Sequence, residues 1–215
     1  NLFTYEQLAR DHLSQMAFDY YSSGAWDEIT LQDNRAAFAR VKLYPRMLVD
    51  VSEVKLTTKV LGEHLRLPLL IAPMAFQCLA HSDGEVATAL AAEIAGIGMV
   101  LSTLANKSLE EVATVANGLQ WFQLYIHKDQ GLTRALVERA YKAGYKAIRL
   151  TVDAHVLGKR ERDQMNQFTL PAGLHLGNFT NIDGLEIPHE QRGSGLLKYF
   201  SEQINPAVTW KDLQW

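Results

Sequence analysis

Four apolar segments recur along the middle of the chain, and each ends in small or polar residues. They occupy residues 67–75, 98–103, 119–125 and 146–153. Continuous apolar runs of this length are typical of parallel strands that are covered on both faces. Their centres lie roughly 23 to 30 residues apart, which suits one strand followed by one helix. The pattern therefore predicts an α/β fold with a parallel sheet covered by helices.

Helix-start and helix-stop signals lie between these strands. The capping-box pattern at 82–85 predicts a helix that ends at Gly96. The same pattern at 108–111 predicts a helix that ends near Gly118, and a third helix is predicted just before Gly144. Because glycine tolerates the left-handed conformation after a helix, we expect each of these three glycines to adopt it.

The first 60 residues are predicted to be an N-terminal segment of helices and loop. Thr4 and Gln7 form another capping-box pattern, and the helix that they open is predicted to run to Tyr21. The residues Ser22–Gly24 are expected to end it. The remaining predictions are a helix over 29–39, loop and short strands over 44–59, and a hairpin over 60–67.

The segment 166–205 is long, rich in glycine and proline, and poor in regular pattern. Connections of this length are usually functional lids or disordered, and we expect a long active-site loop here. A short helix is predicted over 194–203, with Leu196, Leu197 and Phe200 on one face. Residues 209–214 have the pattern of the first turn of another helix.

A doubly wound sheet and a (β/α)8 TIM barrel both fit alternating strands and helices. A nucleotide-binding doubly wound sheet should have Gly-x-Gly-x-x-Gly after its first strand, where this chain has Pro73–Gln77. The barrel is therefore favoured, and a complete barrel needs eight βα units and about 250 residues. The chain has four units, over 61–165, so we expect the N-terminal half of one barrel domain spanning 1–215, with two open sheet edges.

Composition excludes several classes of protein. The formal net charge is −3 and the sequence pI is about 6.2, which disfavours nucleic acid or a polybasic membrane surface as a partner. The single cysteine, Cys78, excludes an intramolecular disulfide and fits a reducing compartment. No apolar run reaches the roughly 18 residues of a membrane span, and no signal peptide is visible. A cytoplasmic location without membrane attachment is the expectation.

Polar residues at the C-terminal ends of the four strands are the candidates for a site, because barrel enzymes bind their ligands there. The candidates are 72–76, Ser102, Thr103, Gln123, Tyr125, Thr151 and Asp153. The chain has no zinc-ligand pattern and no Gly-x-Ser-x-Gly nucleophile motif, so no metal site is predicted. A surface of amide and hydroxyl groups suits a planar, heteroatom-rich ligand such as a flavin.

Several segments match a known family in order and in spacing. The matching residues are Phe18–Ala25, Ile71–Ala75, Phe122–Tyr125, Leu150–Asp153 and Leu157–Glu161. Together they resemble the FMN-dependent L-2-hydroxy acid oxidases, a family that includes glycolate oxidase and L-lactate oxidase. The resemblance extends from Tyr5 to Trp215 and implies an FMN-binding (β/α)8 barrel. It also implies oxidation of a small L-2-hydroxy acid, with O2 regenerating the cofactor and forming H2O2.

The resemblance implies roles for individual residues. The flavin contacts fall on the main chain of Met74 and Ala75 and on Ser102, Gln123 and Thr151. The substrate contacts fall on Tyr20, Tyr125 and Arg160. Arg160 is expected to bind the substrate carboxylate, and Tyr125 is expected to act in catalysis as well. Taken singly, Tyr20 suits packing and Arg160 suits a solvated run of charges, so the joint match carries these assignments.

Three apolar residues are predicted to set the size of the substrate. Leu104 lies where glycolate oxidases carry a bulky tryptophan, and Phe76 and Phe200 are predicted to add apolar walls. A smaller residue at 104 leaves room for a methyl group, so L-lactate is favoured over glycolate. One methyl group is worth only about 1–3 kcal/mol, which predicts a preference and not exclusivity.

The resemblance also implies what lies outside this chain. The catalytic histidine, a second carboxylate-binding arginine, a lysine at the flavin edge and the phosphate site fall beyond Trp215, so the C-terminal half of the barrel is an expected partner. A homo-oligomer, a tetramer by resemblance, is also expected, and a peroxisomal location if the source is eukaryotic. His155 departs from the family, which usually has proline there. A non-catalytic half-barrel that associates with itself remains the alternative.

Overall fold

A computed structural model of the chain describes residues 1–180, 186–188 and 193–213. Its helices are α1 (Leu2–His12), α2 (Gln15–Ser22), α3 (Ile29–Arg40), α4 (Gly84–Ala95), α5 (Leu109–Val115), α6 (Gln130–Lys142), α7 (Glu161–Met165) and α8 (Gly195–Gln203). Its strands are β1 (Thr58–Val60), β2 (Glu63–Leu65), β3 (Leu70–Ile71), β4 (Gly98–Leu101), β5 (Gln120–Leu124) and β6 (Ile148–Leu150). No helix in the described ranges is both long enough and apolar enough to cross a bilayer.

The four strands that follow the hairpin form one parallel sheet in the order β3-β4-β5-β6. Every residue of β4 is buried, as its continuous apolar run predicts. The strand β3 covers only Leu70–Ile71, much less than the predicted 67–75, because Pro73 has no N–H group to extend the ladder. The carboxyl ends of all four strands lie at one edge of the sheet, where the candidate residues follow them.

The N-terminal segment has two helices where the sequence predicts one. Ser14 is extended, with ψ of 152°, and its hydroxyl accepts a hydrogen bond from the N–H of Ala17 (3.3 Å). This serine is therefore an N-cap that separates α1 from α2. The predicted cap at Thr4 is also wrong, because Asn1 Oδ1 accepts the N–H of Thr4 itself (3.1 Å).

The predicted second helix and the hairpin are confirmed. The helix α3 spans 29–40, and β1 pairs antiparallel with β2. Leu61 and Gly62, in the turn of the hairpin, both have positive φ (49° and 86°), as a tight two-residue turn requires. The preceding residues 41–57 form neither helix nor strand.

The helix signals between the parallel strands are confirmed in part. The capping box at 108–111 is present, and Gly96 and Gly144 have left-handed φ values of 68° and 92°. Gly118 does not share this conformation. A Cβ atom at Gly118 would lie only 3.2 Å from the Cα of Glu93, so this glycine is required for close packing between two helix ends.

The segment 166–205 has more regular structure than its composition predicts. The helix α8 confirms the helix predicted over 194–203. Its buried face includes Leu196, Tyr199 and Phe200, while Leu197 is only half-buried. The parts of this segment at 181–185 and 189–192 lie outside the described residues. A 3-10 turn over Trp210–Leu213 takes the place of the predicted helix start.

The apolar core lies between the parallel sheet and helices α4 to α6. Its centre is formed by the fully buried side chains of Leu101, Leu109, Val112, Phe122 and Leu136. At the carboxyl side of the sheet, the rings of Tyr20, Phe76 and Phe168 pack against one another. This packing holds the N-terminal helices against the strand ends, which positions the site described next.

Candidate active site

A cavity of about 270 Å³ lies over the carboxyl ends of β3 to β6. The residues that line it are Tyr20, Pro73, Met74, Ala75, Ser102, Leu104, Gln123, Tyr125, Thr151, Leu157, Arg160, Leu196 and Phe200. They include every residue predicted to contact flavin or substrate, and two of the three predicted to set substrate size. The strand ends, α2, the segment after β6 and α8 therefore meet at one site.

Phe76 is the predicted site residue that does not line the cavity. Its side chain is fully buried, with its ring centre 5.3 Å from that of Tyr20 and 5.8 Å from that of Phe168. Its backbone is left-handed (φ 59°), and its carbonyl accepts the hydroxyl of Tyr21 (2.6 Å). In place of the predicted apolar wall, Phe76 forms packing that supports Tyr20.

The side chain of Gln123 joins the ends of three neighbouring strands. Its Oε1 accepts hydrogen bonds from the N–H of Thr103 (3.0 Å) and from the hydroxyl of Ser102 (3.4 Å). Its Nε2 donates to the hydroxyl oxygen of Thr151 (3.0 Å). Because a main-chain N–H can only donate, the amide has one permitted orientation. The result is a row of polar groups, Ser102, Gln123 and Thr151, held in fixed positions.

Two buried residues without a role assigned from sequence support this row. The hydroxyl of Thr103 donates to the carbonyl of Gln123 (2.5 Å) and accepts the N–H of Tyr125 (3.2 Å). Asn178 donates from Nδ2 to the carbonyls of Ser102 (3.3 Å) and Thr103 (3.0 Å). A threonine directly after a strand is a usable sequence signal, but nothing in the pattern of the long segment singles out Asn178.

The donors and acceptors of the cavity fit a flavin ring. Met74 and Ala75 line the cavity, and their main-chain N–H groups have no acceptor within the described residues. Unpaired N–H groups beside a cavity are available to a ligand that carries acceptors. Together with the row of polar groups, they match the heteroatom-rich edges of the isoalloxazine ring of FMN.

Arg160 is held firmly by partners on two parts of its guanidinium group. Its Nε pairs with Asp163 Oδ2 (3.3 Å), and its Nη2 donates to the carbonyls of Tyr20 and Ser23 (3.1 Å to Ser23). Its side chain is only 19% exposed, so the charged run 159–163 is not a solvated face at this position. Within the described residues Nη1 has no partner, and this nitrogen is available to an anion in the cavity.

Asp163 is the counter-ion of Arg160, and no sequence signal selects it. Its side chain is 2% exposed, and its Oδ1 has no hydrogen-bond partner within the described residues. Burial raises the pKa of this carboxyl above its usual value, against the opposing effect of the Arg160 charge. The charge of Asp163 therefore depends on Arg160 for its compensation.

Tyr20 and Tyr125 are both neutral at physiological pH. Burial raises the pKa of Tyr20 well above its usual range, and burial followed by the charge of Asp153 raises the pKa of Tyr125. The Tyr20 ring stacks on Phe168 with centroids 4.8 Å apart, and the Tyr125 ring meets Phe200 edge-on at 5.1 Å. Both hydroxyl groups are therefore available as hydrogen-bond donors.

Glu85 is fully buried and joins the loops that follow β3 and β4. Its Oε1 accepts the N–H groups of Gln77 (3.1 Å) and Asn106 (3.0 Å), and its Oε2 accepts that of Lys107 (3.2 Å). The predicted capping box at 82–85 is wrong, because this side chain turns inward and caps no helix. Glu85 thereby fixes two of the loops that carry the cavity lining.

His127 is a buried histidine that follows β5. Its Nδ1 lies 3.1 Å from the carbonyl oxygen of Tyr125, and its Nε2 lies 3.0 Å from the hydroxyl of Tyr199. Because a carbonyl can only accept, Nδ1 carries the proton and Tyr199 donates to Nε2. Burial lowers the pKa of His127 to about 4, against the opposing effects of the Tyr125 carbonyl and Asp129.

The lowered pKa of His127 predicts a loss of stability on acidification. Between the ordinary pKa of 6.5 and the folded value of about 4, the unfolded chain binds a proton here and the folded chain does not. This contribution is complete above that window and is lost as the pH falls through it, by about 3 kcal/mol. Urea unfolding at neutral pH and near pH 4.5 should show the loss in the wild type. Equal losses in wild type and His127→Gln would contradict it.

Comparison with known proteins agrees with this site. Residues 9–215 match the family described as FMN-dependent dehydrogenase. The L-lactate oxidase of Nostoc sp. is 72% identical over 219 residues, a match that covers 100% of this chain and 60% of that protein. Glycolate oxidase 3 of Arabidopsis thaliana is 47% identical over 215 residues, covering 100% of this chain and 58% of that protein.

Solved structures agree as well. A crystal structure of mandelate oxidase with (S)-4-hydroxymandelic acid gives a TM-score of 0.89 at 37% identity, covering 97% of this chain and 58% of that one. An active chimera of (S)-mandelate dehydrogenase gives 0.88 at 37% identity, covering 100% and 60%. The predicted fold is confirmed: β3 to β6 and their helices are part of a (β/α)8 barrel. The chain, which spans about 60% of the length of these relatives, belongs to the FMN-dependent dehydrogenase family.

Proposed function

We propose that this chain forms the flavin-facing and substrate-binding side of an FMN-dependent oxidase that acts on an L-2-hydroxy acid, L-lactate in preference to glycolate. One observation carries the proposal: a cationic anchor, two neutral phenols and a row of polar groups line the same cavity. The proposed overall reaction is L-lactate + O2 → pyruvate + H2O2. The 72% identity to an L-lactate oxidase supports this choice of substrate.

FMN, when bound, supplies the two-electron acceptor for this reaction. Ser102, Gln123 and Thr151 would hold one edge of it through side-chain donors and acceptors. Met74 and Ala75 would bind it through their main-chain N–H groups. Because the polar row is already fixed by its own hydrogen bonds, these residues need little rearrangement when the charge of the ligand changes.

The substrate is proposed to bind between Arg160 and the two tyrosines. Arg160 Nη1 would donate to the substrate carboxylate, while its remaining nitrogens stay with Asp163 and the main chain. Tyr20 would donate to the carboxylate. Tyr125 would donate to the hydroxyl oxygen and keep that bond as the oxygen becomes a carbonyl, which is the catalytic role that we assign to it.

We propose that further polypeptide completes the barrel. The sheet of β3 to β6 has two unpaired edges, and the side chains of Leu43, Tyr44 and Leu48 are almost fully exposed. Edges and apolar surfaces of this kind require a cover. A second copy of this half-barrel is the alternative cover. The division into 1–60, 61–165 and 166–205, the homo-oligomer and the cytoplasmic location stay predictions.

The visible absorption spectrum of the protein made from the full-length coding sequence tests the proposed function. An oxidised-flavin band should be present, should bleach on anaerobic addition of L-lactate, and should return when O2 is admitted. D-lactate is the matched control and should leave the band unchanged. A well-folded protein without flavin, or a flavin band that L-lactate leaves unchanged, would contradict the proposal.

Leu104→Trp is expected to shift the preference from L-lactate towards glycolate. Leu104 is buried and lines the cavity, so an indole ring there would occupy the space proposed for the substrate methyl group. The ratio of kcat/KM for L-lactate to that for glycolate should fall about tenfold, the worth of one methyl group. Steady-state kinetics with both acids measure the ratio.

Leu196→Met is the control for that substitution, because it changes a residue of the same lining at nearly constant volume. It should leave the ratio within about twofold of the wild-type value. An unchanged ratio in Leu104→Trp would show that a residue other than Leu104 limits the size of the substrate.

A further inference from the structure

Two side chains outside the cavity lining connect α8 to the strand end beneath it. His127 and Tyr199 are each 1% exposed, and the Tyr199 hydroxyl donates to His127 Nε2 at 3.0 Å. His127 Nδ1–H donates in turn to the carbonyl oxygen of Tyr125 at 3.1 Å. A continuous chain of hydrogen bonds therefore runs from the middle of α8 to the main chain of Tyr125.

The helix α8 forms an apolar side of the cavity. Phe200 meets the Tyr125 ring edge-on at 5.1 Å, and Leu196, one turn earlier, lines the cavity as well. Main-chain hydrogen bonds between 126–128 and 203–205 (2.8 and 3.0 Å) hold the C-terminal end of this helix. The contact between the histidine and the tyrosine is the polar side-chain bond that holds its middle.

We propose that His127 and Tyr199 are positioning residues that fix the Phe200 side of the cavity and thereby set which 2-hydroxy acids fit. The inference rests on the proposed function, because it concerns the substrate of that same site. Arg160 is held by separate partners, so loss of the His127–Tyr199 contact should affect the choice of substrate side chain more than the binding of its carboxylate.

A pair of tyrosine substitutions isolates this contact in the full-length enzyme. Tyr199→Phe removes one hydroxyl and keeps the ring. Tyr145→Phe is the matched control, because Tyr145 is also buried and its hydroxyl donates to the carbonyl of Leu109 (3.0 Å), away from the cavity lining. The ratio of kcat/KM for L-2-hydroxyhexanoate to that for L-lactate should rise about fivefold in Tyr199→Phe and stay unchanged in Tyr145→Phe.

Two substitutions at His127 separate its two hydrogen bonds. A glutamine reaches the position of Nε2 and can accept from Tyr199, whereas an asparagine reaches only the position of Nδ1 and can serve only the Tyr125 carbonyl. His127→Asn should therefore reproduce the substrate ratio of Tyr199→Phe, and His127→Gln should stay near the wild-type ratio. The double variant with Asn and Phe should not exceed the larger single effect. This series decides the matter if Tyr199→Phe fails to fold.

A readout independent of catalysis accompanies the kinetics. Amide hydrogen exchange over 196–202 should become about fivefold faster in Tyr199→Phe and His127→Asn, but not in Tyr145→Phe. If the full-length enzyme oxidises no 2-hydroxy acid, the proposed function fails, and unchanged exchange would then overturn the inference separately. If the enzyme is active and the two tyrosine variants have equal substrate ratios, the inference is overturned while the proposed function stands.

Discussion

Replacing Arg160 with methionine should lower kcat/KM for L-lactate about 1,000-fold, mainly through a higher KM. The substrate carboxylate would lose a charge-assisted bond to Nη1 in a largely enclosed cavity. Truncating one partner of a buried charge pair costs about 2–5 kcal/mol. A loss of about 4 kcal/mol corresponds to about three factors of ten. Steady-state kinetics of the full-length enzyme measure the effect.

The same substitution leaves Asp163 without its counter-ion, so a loss of stability must be separated from a loss of binding. An uncompensated buried carboxylate costs about 3–5 kcal/mol, and Asp163 is 2% exposed. The double variant Arg160→Met/Asp163→Leu removes both charges. It should recover most of the thermal stability that Arg160→Met loses, and none of its activity.

Arg162→Met is the matched control for the charge. Arg162 belongs to the short helix that Arg160 precedes, but it is 43% exposed and pairs with Glu28 (3.2 Å) and Asp19 (3.7 Å). Exposed pairs are worth about 0–1 kcal/mol, so kcat/KM should stay within about threefold of wild type. If Arg160→Met lost less than about tenfold, the assignment of Arg160 to the carboxylate would be refuted.

Glu85→Gln should destabilise the fold by about 3 kcal/mol. The carboxylate accepts three main-chain N–H groups, and an amide would place an NH2 donor against at least one of them. For a chain of this size, each kcal/mol shifts Tm by about 2–4 °C, so Tm should fall by about 9 °C. Differential scanning calorimetry measures the change.

The same substitution should also weaken FMN binding, because the loop that Glu85 fixes carries Met74 and Ala75. A rise of about tenfold in the Kd for FMN, followed by flavin fluorescence, is expected. Glu93→Gln is the control, since Glu93 is half-buried and accepts only the N–H of Asn117 (3.1 Å). It should change Tm by less than about 3 °C. A Glu85→Gln protein with wild-type Tm and FMN affinity would rule out this role for Glu85.

The elements around the sheet are readable from the sequence because their signals are local. The apolar runs of β4 to β6, the capping box at 108–111 and the glycines after α4 and α6 each lie within a few residues of the element that they specify. The break between α1 and α2 was missed because a serine inside a helical pattern is ambiguous. Only the hydrogen bond from Ala17 to Ser14 decides that it is a cap.

Part of the site is equally accessible. Parallel strands bring their carboxyl ends to one edge, so polar residues that end consecutive strands are expected to meet. This rule predicts Ser102, Gln123, Tyr125 and Thr151 without any relative. It does not reach Tyr20 and Arg160, which lie on α2 and before α7. Those two depend on the resemblance to a family, and the structure brings both to the same cavity.

The buried polar partners follow from tertiary structure alone. Glu85 has the local pattern of a cap, yet its acceptors serve N–H groups as far as 22 residues away. His127 and Tyr199 are separated by 72 residues, and Asn178 and Ser102 by 76. Local sequence pattern specifies which face of an element is apolar. It does not specify which distant donor meets a buried acceptor, because that pairing exists only after the elements have packed.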